Sequence, residues 1–437
     1  MQTVISIVVA LVIFSLLVIF HEFGHFIVAR KCGVVVNEFS VGMGPRLWSK
    51  VAKSGTRYSL KALPFGGSCA MLGEDEDNDE EGSFNSKPLW ARMAIVFAGP
   101  FFNFILAFLL ALVVIGFRGA DPSYVTNVKE GSAAQKAGLQ KGDRIVRMNG
   151  SGISLGKEIY LEEVLNPLDG ETMNLTVVRN GKKQKISYKP DSEKKPLFGF
   201  VYANDDTEVA VLSVSEGSPM DRAGGKVGDI VVAINGERIK GSTEFQKTLA
   251  KYKGDNYTET EFEVTLLRNH KEVVVKMIPQ YQNSYDSGFS YNLKRVKQSA
   301  FGVVKYSLIE TKYEIKMVLK SLKHLVSGKV SADEVSGPVG IVDSIGDTYS
   351  HTQKSGWVVT LFTMINLAIM LSANLGVMNL LPIPALDGGR LLLYFVELIT
   401  RKRIPKDKEG MIHFIGFILL MGLMFFLIFN DIRKIFL

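Results

Sequence analysis

The chain has 437 residues, of which 47% are hydrophobic and 22% charged, and its formal net charge is +7. This balance is typical of a protein that is part membrane and part soluble. Two cysteines, Cys32 and Cys69, are too few for a disulfide framework. The positive charge occurs without a nucleic-acid recognition motif, so we expect no nucleic-acid partner.

Four apolar stretches have the length that a bilayer demands, roughly 20 residues at about 1.5 Å rise each. They are about Val4–Ala29, Met93–Phe117, Trp357–Leu381 and Met411–Asn430. The first stretch lacks the basic start of a signal peptide, and its removal would discard the motif described next, so we expect no cleavage. The sequence therefore predicts a multi-pass α-helical membrane protein with four spans.

The first apolar stretch contains an HExxH motif, His21-Glu22-Phe23-Gly24-His25. Histidines four residues apart project from one face of a helix and can bind one metal ion. The glutamate between them can then act on a metal-bound water. Ionisable groups at membrane depth are costly and usually functional, so this motif predicts a catalytic metal site within the bilayer.

Basic residues cluster in two loops, one after the first span and one before the last span. They are Arg30, Lys31, Arg46, Lys50, Lys53, Arg57 and Lys61, and then Arg401, Lys402, Arg403, Lys406 and Lys408. With four spans, both loops lie on the same side of the membrane, and the positive-inside rule predicts that this side is cytoplasmic. Residues 119–356 and both termini are then expected to face outward.

The outward stretch contains an internal repeat. Residues 131–150 recur at 217–236 with a constant offset of 86, and each copy has a short helix, a Gly-Asp turn and an apolar strand ending in Asn-Gly. The pattern resembles two PDZ domains of the bacterial protease type, which we place at residues 119–204 and 205–282. PDZ domains bind extended peptides or chain ends by strand addition.

A helical pattern follows the repeat, from Ser299 to Lys329, within a region that we place at residues 283–356. Apolar residues recur at helical spacing among many lysines. This amphipathic region is expected either to lie on the outer membrane surface or to pack against the PDZ pair.

Two histidines do not complete a catalytic zinc site, which usually has three protein ligands. Asp387 and Glu397 are the candidates among carboxylates in apolar surroundings on the correct side. Asp387 ends the segment Asn379–Gly389, where two prolines and a Gly-Gly pair interrupt the third span. Broken helices at membrane depth require protein or a water cavity around them. The spacing alone leaves Glu397 open as the alternative ligand.

The paired motifs His21–His25 and Leu386-Asp387-Gly388, the four spans and the two PDZ copies together resemble one family over essentially the whole chain. It is the site-2 protease family of intramembrane zinc metalloproteases, of the bacterial regulator-of-sigma-E protease type. The resemblance implies that His21, His25 and Asp387 hold Zn²⁺ and that Glu22 is the general base and acid. Residues 1–118 and 357–437 are then the catalytic membrane domains.

Weaker matches concern substrate contact. Tyr58–Gly67 looks like the family's membrane-associated β-hairpin, whose edge would pair with a substrate strand, so Tyr58, Leu60 and Ala62 are expected to contact substrate. Asn374 and Asn379 correspond to family asparagines thought to meet an unwound substrate. They could equally satisfy the backbone of the broken third span. Gly99-Pro100 and Asn103 match a family pattern expected to serve close helix packing.

The resemblance implies an enzyme of the bacterial inner membrane that cleaves single-span membrane proteins in contact with membrane lipid. Its PDZ domains would face the periplasm and act as a size filter or bind freshly cut peptide ends. Two alternatives belong to other classes. One is a membrane-anchored PDZ adaptor with a degenerate protease core, and the other is a metal transporter whose histidines and carboxylates line an ion path.

Overall fold

The computed structural model describes residues 2–74, 80–203, 207–252, 259–328 and 336–436. The chain forms two compact units. One comprises residues 1–120 with 295–437, and the other comprises residues 121–294. The boundary expected between residues 204 and 205 lies outside the described residues.

The helices and strands are numbered in chain order. The helices are α1 (Gln2–Lys31), α2 (Leu89–Arg118), α3 (Ala133–Lys136), α4 (Gly156–Leu165), α5 (Pro219–Arg222), α6 (Ser242–Leu249), α7 (Ala300–Val326), α8 (Pro338–Gln353), α9 (Trp357–Asn379), α10 (Asp387–Thr400) and α11 (Lys406–Phe436). The strands are β1 (Val36–Val51), β2 (Arg57–Met71), β3 (Val125–Val128), β4 (Arg144–Met148), β5 (Ser151–Gly152), β6 (Met173–Arg179), β7 (Lys182–Tyr188), β8 (Asp191–Leu197), β9 (Phe200–Tyr202), β10 (Val211–Val214), β11 (Ile230–Ile234), β12 (Glu237–Arg238), β13 (Phe262–Arg268), β14 (Lys271–Met277), β15 (Gln280–Asp286) and β16 (Phe289–Tyr291).

The four predicted spans are confirmed as helices that are long and apolar enough to cross a membrane. They cover Ile7–Lys31, Leu89–Arg118, Trp357–Asn379 and Asp407–Lys434, with mean hydropathies from 1.9 to 2.6. These segments lie in α1, α2, α9 and α11 of the first unit. Backbone groups in hydrocarbon must be satisfied internally, which a continuous helix does within its own segment.

The first two spans approach each other closely at a glycine. A Cβ atom on Gly24 of α1 would collide with the backbone carbonyl of Ala98 in α2. Small residues allow such backbone contact between membrane helices, where dispersion rather than hydrophobic burial drives association. Beyond this point, Leu17, Leu106 and Leu371 share one core among α1, α2 and α9.

The third span is interrupted, as the sequence predicts. Helix α9 ends at Asn379, and α10 begins at Asp387 after a turn that contains Pro382 and Pro384. A Cβ atom at Gly388 or Gly389 would collide with the backbone of this turn. The two glycines therefore allow the turn to fold back onto the start of α10, which fixes where Asp387 is presented.

Strands β1 and β2 form the predicted hairpin, but their pairing differs from the expectation for Tyr58 and Leu60. Tyr58 pairs with Phe39 on one side and with Lys50 on the other, and Leu60 is likewise paired on both sides. These residues therefore lie in an inner strand, whose backbone has no free edge to offer a substrate. Gly67–Met71 pairs only with β1 among the described strands and forms an edge of the sheet.

Helix α7 is the amphipathic helix expected between Ser299 and Lys329. Its buried residues include Gly302, Tyr306 and Glu310, and the helix packs against α2 and α9 of the same unit. The sequence left open a position on the membrane surface or against the PDZ pair. The structure shows that one face of α7 instead covers two of the apolar helices.

The second unit consists of two lobes with the same topology, which confirms the internal repeat. The sheet order is β5-β4-β6-β7 in the first lobe and β12-β11-β13-β14 in the second lobe. Equivalent ion pairs brace them, because Asp143 binds Arg179 at 2.6 Å and Asp229 binds Arg268 at 2.7 Å. Each lobe has its own apolar core.

The two lobes are not consecutive in the sequence. Strand β16 pairs with β3, and its Phe289 packs in the core of the first lobe. Phe198 and β9, which the sequence assigns to the first domain, instead belong to the second lobe. The second lobe is therefore inserted into the first, and the region from residue 283, expected to be helical, begins with strands. Phe289 and Tyr291 alternate along β16, so both rings point to the same side and pack against the core of the first lobe. This packing explains why the segment is a strand and not a helix.

Candidate metal centre

Three side chains converge where α1 meets the start of α10. The Nε2 atoms of His21 and His25 are 3.2 Å apart. Asp387 Oδ2 lies 3.1 Å from His21 Nε2 and 3.5 Å from His25 Nε2. The structure thus brings Asp387 to two histidines that lie more than 360 positions earlier in the chain.

This arrangement fits a zinc ion. Tetrahedral zinc with bonds of about 2.0–2.1 Å has ligand atoms roughly 3.3 Å apart, and catalytic sites leave the fourth position open. Asp387 Oδ2 is buried and has no hydrogen-bond partner within the described part of the chain. An unpartnered buried carboxylate oxygen is costly unless a cation satisfies it. The donor set therefore matches a metal with two histidines and one carboxylate as ligands.

His25 is oriented by a hydrogen bond on its other nitrogen. Its Nδ1 lies 2.8 Å from the carbonyl oxygen of Ile95 in α2. A carbonyl oxygen can only accept, so Nδ1 carries the proton and Nε2 keeps a lone pair. This is the arrangement in which a backbone carbonyl holds a ligating imidazole in place.

Gly99 is a residue of this centre that the sequence reading assigned only to helix packing. A Cβ atom at Gly99 would collide with the imidazole of His25 and would lie 2.8 Å from Cε1 of His21. Its missing side chain creates the space that both histidines occupy. The signal available in the sequence was a glycine before Pro100 inside an apolar helix.

Glu22 lies against the edge strand of the hairpin. A Cβ atom on Gly67 would be 3.4 Å from Cγ of Glu22, so the edge strand and the glutamate are in close contact. Glu22 is half-buried. The catalytic candidate Glu22 therefore adjoins the strand Gly67–Met71, which is paired on one side only among the described strands.

The sheet that carries this edge is braced by a polar cluster around Glu38. Its carboxylate accepts hydrogen bonds from Arg46 at 2.8 and 2.9 Å and from Ser59 at 2.6 Å. The hydrogen bond from Arg46 is the main reason that the pKa of Glu38 is lowered to about 2. The charged pair joins the two arms of β1, which lie on either side of the inner part of β2.

Glu397, the alternative ligand, is engaged elsewhere. Its Oε1 accepts from Nη2 of Arg92 at 2.6 Å, and this Arg92 also stacks on Tyr394 at 5.0 Å. Ten residues of helix separate Glu397 from Asp387, which corresponds to about 15 Å along the axis. Glu397 is therefore not part of the metal cluster.

The two asparagines of the third span lie in different places relative to the centre. Asn379 Nδ2 is 3.5 Å from Nδ1 of His21. Asn374 is five residues earlier in α9, which turns it by about 140° relative to Asn379 on a helix of 3.6 residues per turn. Ala62, the remaining candidate for substrate contact, is half-buried in β2.

Comparison with known sequences identifies the family of this chain. The profile of peptidase family M50 matches residues 9–423. The zinc metalloprotease RasP of Geobacillus kaustophilus is 30% identical over 471 residues and covers 100% of both chains. The protein of the same name from Bacillus licheniformis is 29% identical over 463 residues, again with 100% of both chains covered. The chain belongs to peptidase family M50.

A further relative and a solved structure are also similar to this chain. A relative from Clostridium acetobutylicum, whose name also contains the words zinc metalloprotease, is 31% identical and covers 98% of this chain and 97% of its own. Among solved structures, the HtrA3 PDZ domain bound to a phage-derived ligand covers 22% of this chain and 93% of its own, at 21% identity. Its TM-score is 0.18, and a likeness this slight supports no argument.

Proposed function

We propose that this chain, a zinc metalloprotease of peptidase family M50, hydrolyses a peptide bond in the transmembrane segment of a single-span membrane protein. The observation that carries the proposal is the cluster of His21, His25 and Asp387. It is built on an apolar helix long enough to cross a membrane and on the turn that breaks another. Polar ligands at such a depth are costly and are retained for function.

The residues of the centre divide into three metal ligands and one proton-transfer group. His21, His25 and Asp387 would hold Zn²⁺, which as a Lewis acid polarises a carbonyl oxygen and makes water acidic near neutral pH. Glu22 removes the proton from the attacking water and then delivers it to the departing amine. The same carboxylate can serve both steps because a general base becomes a general acid once it is protonated.

Substrate presentation is assigned to the edge strand Gly67–Met71. A peptide bond inside a helix is shielded by its own hydrogen bonds, so the substrate must unwind before it can be cut. An extended segment that pairs with a free strand edge regains the backbone hydrogen bonds it has lost. The contact between Gly67 and Glu22 supports this proposal, because it would place the added strand beside the general base. The amide of Asn379 would bind the unwound backbone.

The location and the partners of the enzyme are part of the proposal. The basic loops favour an orientation in which the second unit faces outward, and the bacterial relatives favour a bacterial cytoplasmic membrane. The two lobes would act as PDZ domains that either exclude large substrates or bind newly cut peptide ends. Membrane lipid surrounds the apolar helices.

Substitution of Glu22 by Gln tests the proposed function. We expect the purified variant to keep one zinc per chain and to lose cleavage of single-span substrates, because glutamine cannot accept the proton. Glu216→Gln, an exposed glutamate of the second lobe, serves as the matched control and should keep full activity. Cleavage by Glu22→Gln would overturn the assigned mechanism. Absence of zinc from the wild-type protein would instead favour a non-catalytic adaptor.

A further inference from the structure

Asn103 is completely buried in α2, one turn after Gly99. Its side-chain Nδ2 atom is placed 3.1 Å from Nδ1 of His21, on the ring edge opposite the metal cluster. Its backbone oxygen accepts a hydrogen bond of 2.7 Å from the Ser372 hydroxyl of α9. Asn103 is therefore fixed between the first and third apolar helices, with its amide facing a proposed zinc ligand.

The orientation of this amide decides which nitrogen of His21 is protonated. The Nε2 atom of His21 faces His25 and Asp387, so it must keep its lone pair to bind a metal ion. A neutral imidazole with a free Nε2 carries its proton on Nδ1 and donates from there. If the NH₂ group of Asn103 faced this nitrogen, two hydrogen-bond donors, the amide N–H and the Nδ1–H of His21, would face each other without an acceptor.

The other end of the same amide gives a second, independent observation. Asn103 Oδ1 is buried and has no hydrogen-bond partner within the described residues. The oxygen and nitrogen of a side-chain amide occupy nearly the same space, and the hydrogen-bond network decides between them. Turning the amide over moves the oxygen next to Nδ1 of His21, where it has a donor. A single rotation thus gives the Asn103 oxygen a donor and removes the nearer of the two amide nitrogens that face Nδ1; the other, Nδ2 of Asn379, lies farther away at 3.5 Å.

We infer that Asn103 is a positioning residue whose Oδ1 accepts the Nδ1 proton of His21 and so reserves Nε2 for the metal. Asn103 and Ile95 then have the same role, because each presents an oxygen of α2 to one ligating histidine. Outer partners of this kind fix the tautomer and ring orientation of metal ligands. This inference rests on the proposed zinc centre and adds a residue to it.

Two substitutions of nearly equal size separate this role from packing. Asn103→Asp retains an oxygen that accepts from Nδ1 and cannot donate when ionised. Asn103→Leu retains the volume and offers no acceptor. We expect zinc affinity to fall about 10- to 100-fold in Asn103→Leu. The affinity of Asn103→Asp should equal or exceed that of the wild type.

The measurements are zinc affinity by chelator competition and the visible spectrum of the cobalt-substituted protein, in full-length protein purified in detergent. The spectrum should be altered in Asn103→Leu and be close to the wild-type spectrum in Asn103→Asp. Ser372→Ala is the matched control, because it removes the bond to the Asn103 backbone and leaves the amide in place. It should lower the melting temperature without changing zinc affinity.

Two results would overturn the inference. One is wild-type zinc affinity in Asn103→Leu, and the other is equal loss in the aspartate and leucine variants, which would mean that the amide donates. Asn103→Ala replaces the leucine variant if the latter does not fold. A wild-type protein without zinc would refute the proposed function itself, so the two failures are distinguishable.

Discussion

Asp387 and Glu397 are the two carboxylates between which the sequence alone could not choose a third metal ligand. Both are carboxylates in apolar surroundings, and spacing alone left either one open as the third ligand. The structure separates them through the turn before α10, which presents Asp387 to the histidines, whereas Glu397 pairs with Arg92. This contact spans more than 300 residues, and no local pattern in the sequence encodes it.

The two carboxylates lead to a direct prediction about metal binding. Asp387→Ala should lose stoichiometric zinc because two imidazoles alone leave the site without its third ligand. Glu397→Gln should keep it. Metal content after gel filtration in detergent measures both, and the reverse pattern would show that Glu397 is the ligand.

The ion pair of Asp229 and Arg268 makes the second lobe sensitive to acid. The bonds from Arg268 lower the pKa of Asp229, so the carboxylate is favoured in the folded state. Its stabilising effect is complete above the unfolded pKa of about 3.9 and is lost as the pH falls through the lower folded value. We expect the difference in melting temperature between wild type and Asp229→Asn to be constant above about pH 5 and to narrow below about pH 4. A difference in melting temperature that is the same at every pH would contradict this prediction. The control Glu216→Gln should have the melting temperature of the wild type at each pH.

At the scale of elements, α10 is the helix whose position determines the third ligand. Arg92 of α2 binds Glu397 in the last turn of α10, and Arg390, one turn after Asp387, forms an ion pair with Glu74. Two charged contacts therefore hold this short helix against its neighbours. The sequence predicted the apolar character of the spans, but it gave no sign that Arg92, in the first turn of α2, would pair with a carboxylate of α10.

Removal of one member of the buried pair should cost more than removal of both. Arg92→Met leaves Glu397 as an uncompensated buried charge, which destabilises by about 3–5 kcal/mol. The double variant Arg92→Met, Glu397→Leu should recover much of this loss. Thermal unfolding in detergent measures the cycle, with Arg118→Met as a control at an exposed arginine. Additive losses would show that the pair does not couple the two helices.

At the scale of the whole molecule, the sequence predicted most of the architecture. The apolar stretches and the 86-residue repeat follow from local composition and periodicity, the hairpin follows from the family resemblance, and the structure contains each of them. The edge of the hairpin did not follow, because two long strands that fold back on each other hide Tyr58 and Leu60 in an inner position. The contribution of Phe289 to the first lobe was also missed, since it depends on pairing with β3 across the inserted lobe.

The chain leaves and re-enters the first unit at adjacent points. Ala120 and Val296 are bridged by two backbone hydrogen bonds of 3.0 and 2.6 Å. Antiparallel partners of this kind lie about 5 Å apart, so a short Gly-Ser linker could replace residues 121–294. We expect that variant to keep stoichiometric zinc and to accept a wider range of substrates. Loss of zinc would show that the second unit is required for the metal centre.

The insertion of one lobe within the other has a consequence for biosynthesis. All four strands of the first lobe's sheet have been translated once the ribosome reaches Tyr188. The core of this lobe still lacks Phe289, which follows about a hundred residues later. At ~5–20 residues per second, this delay lasts roughly 5–20 s. The inserted lobe has all its strands by then, so the ribosome releases the inner lobe to fold before the outer one can close around its last strand.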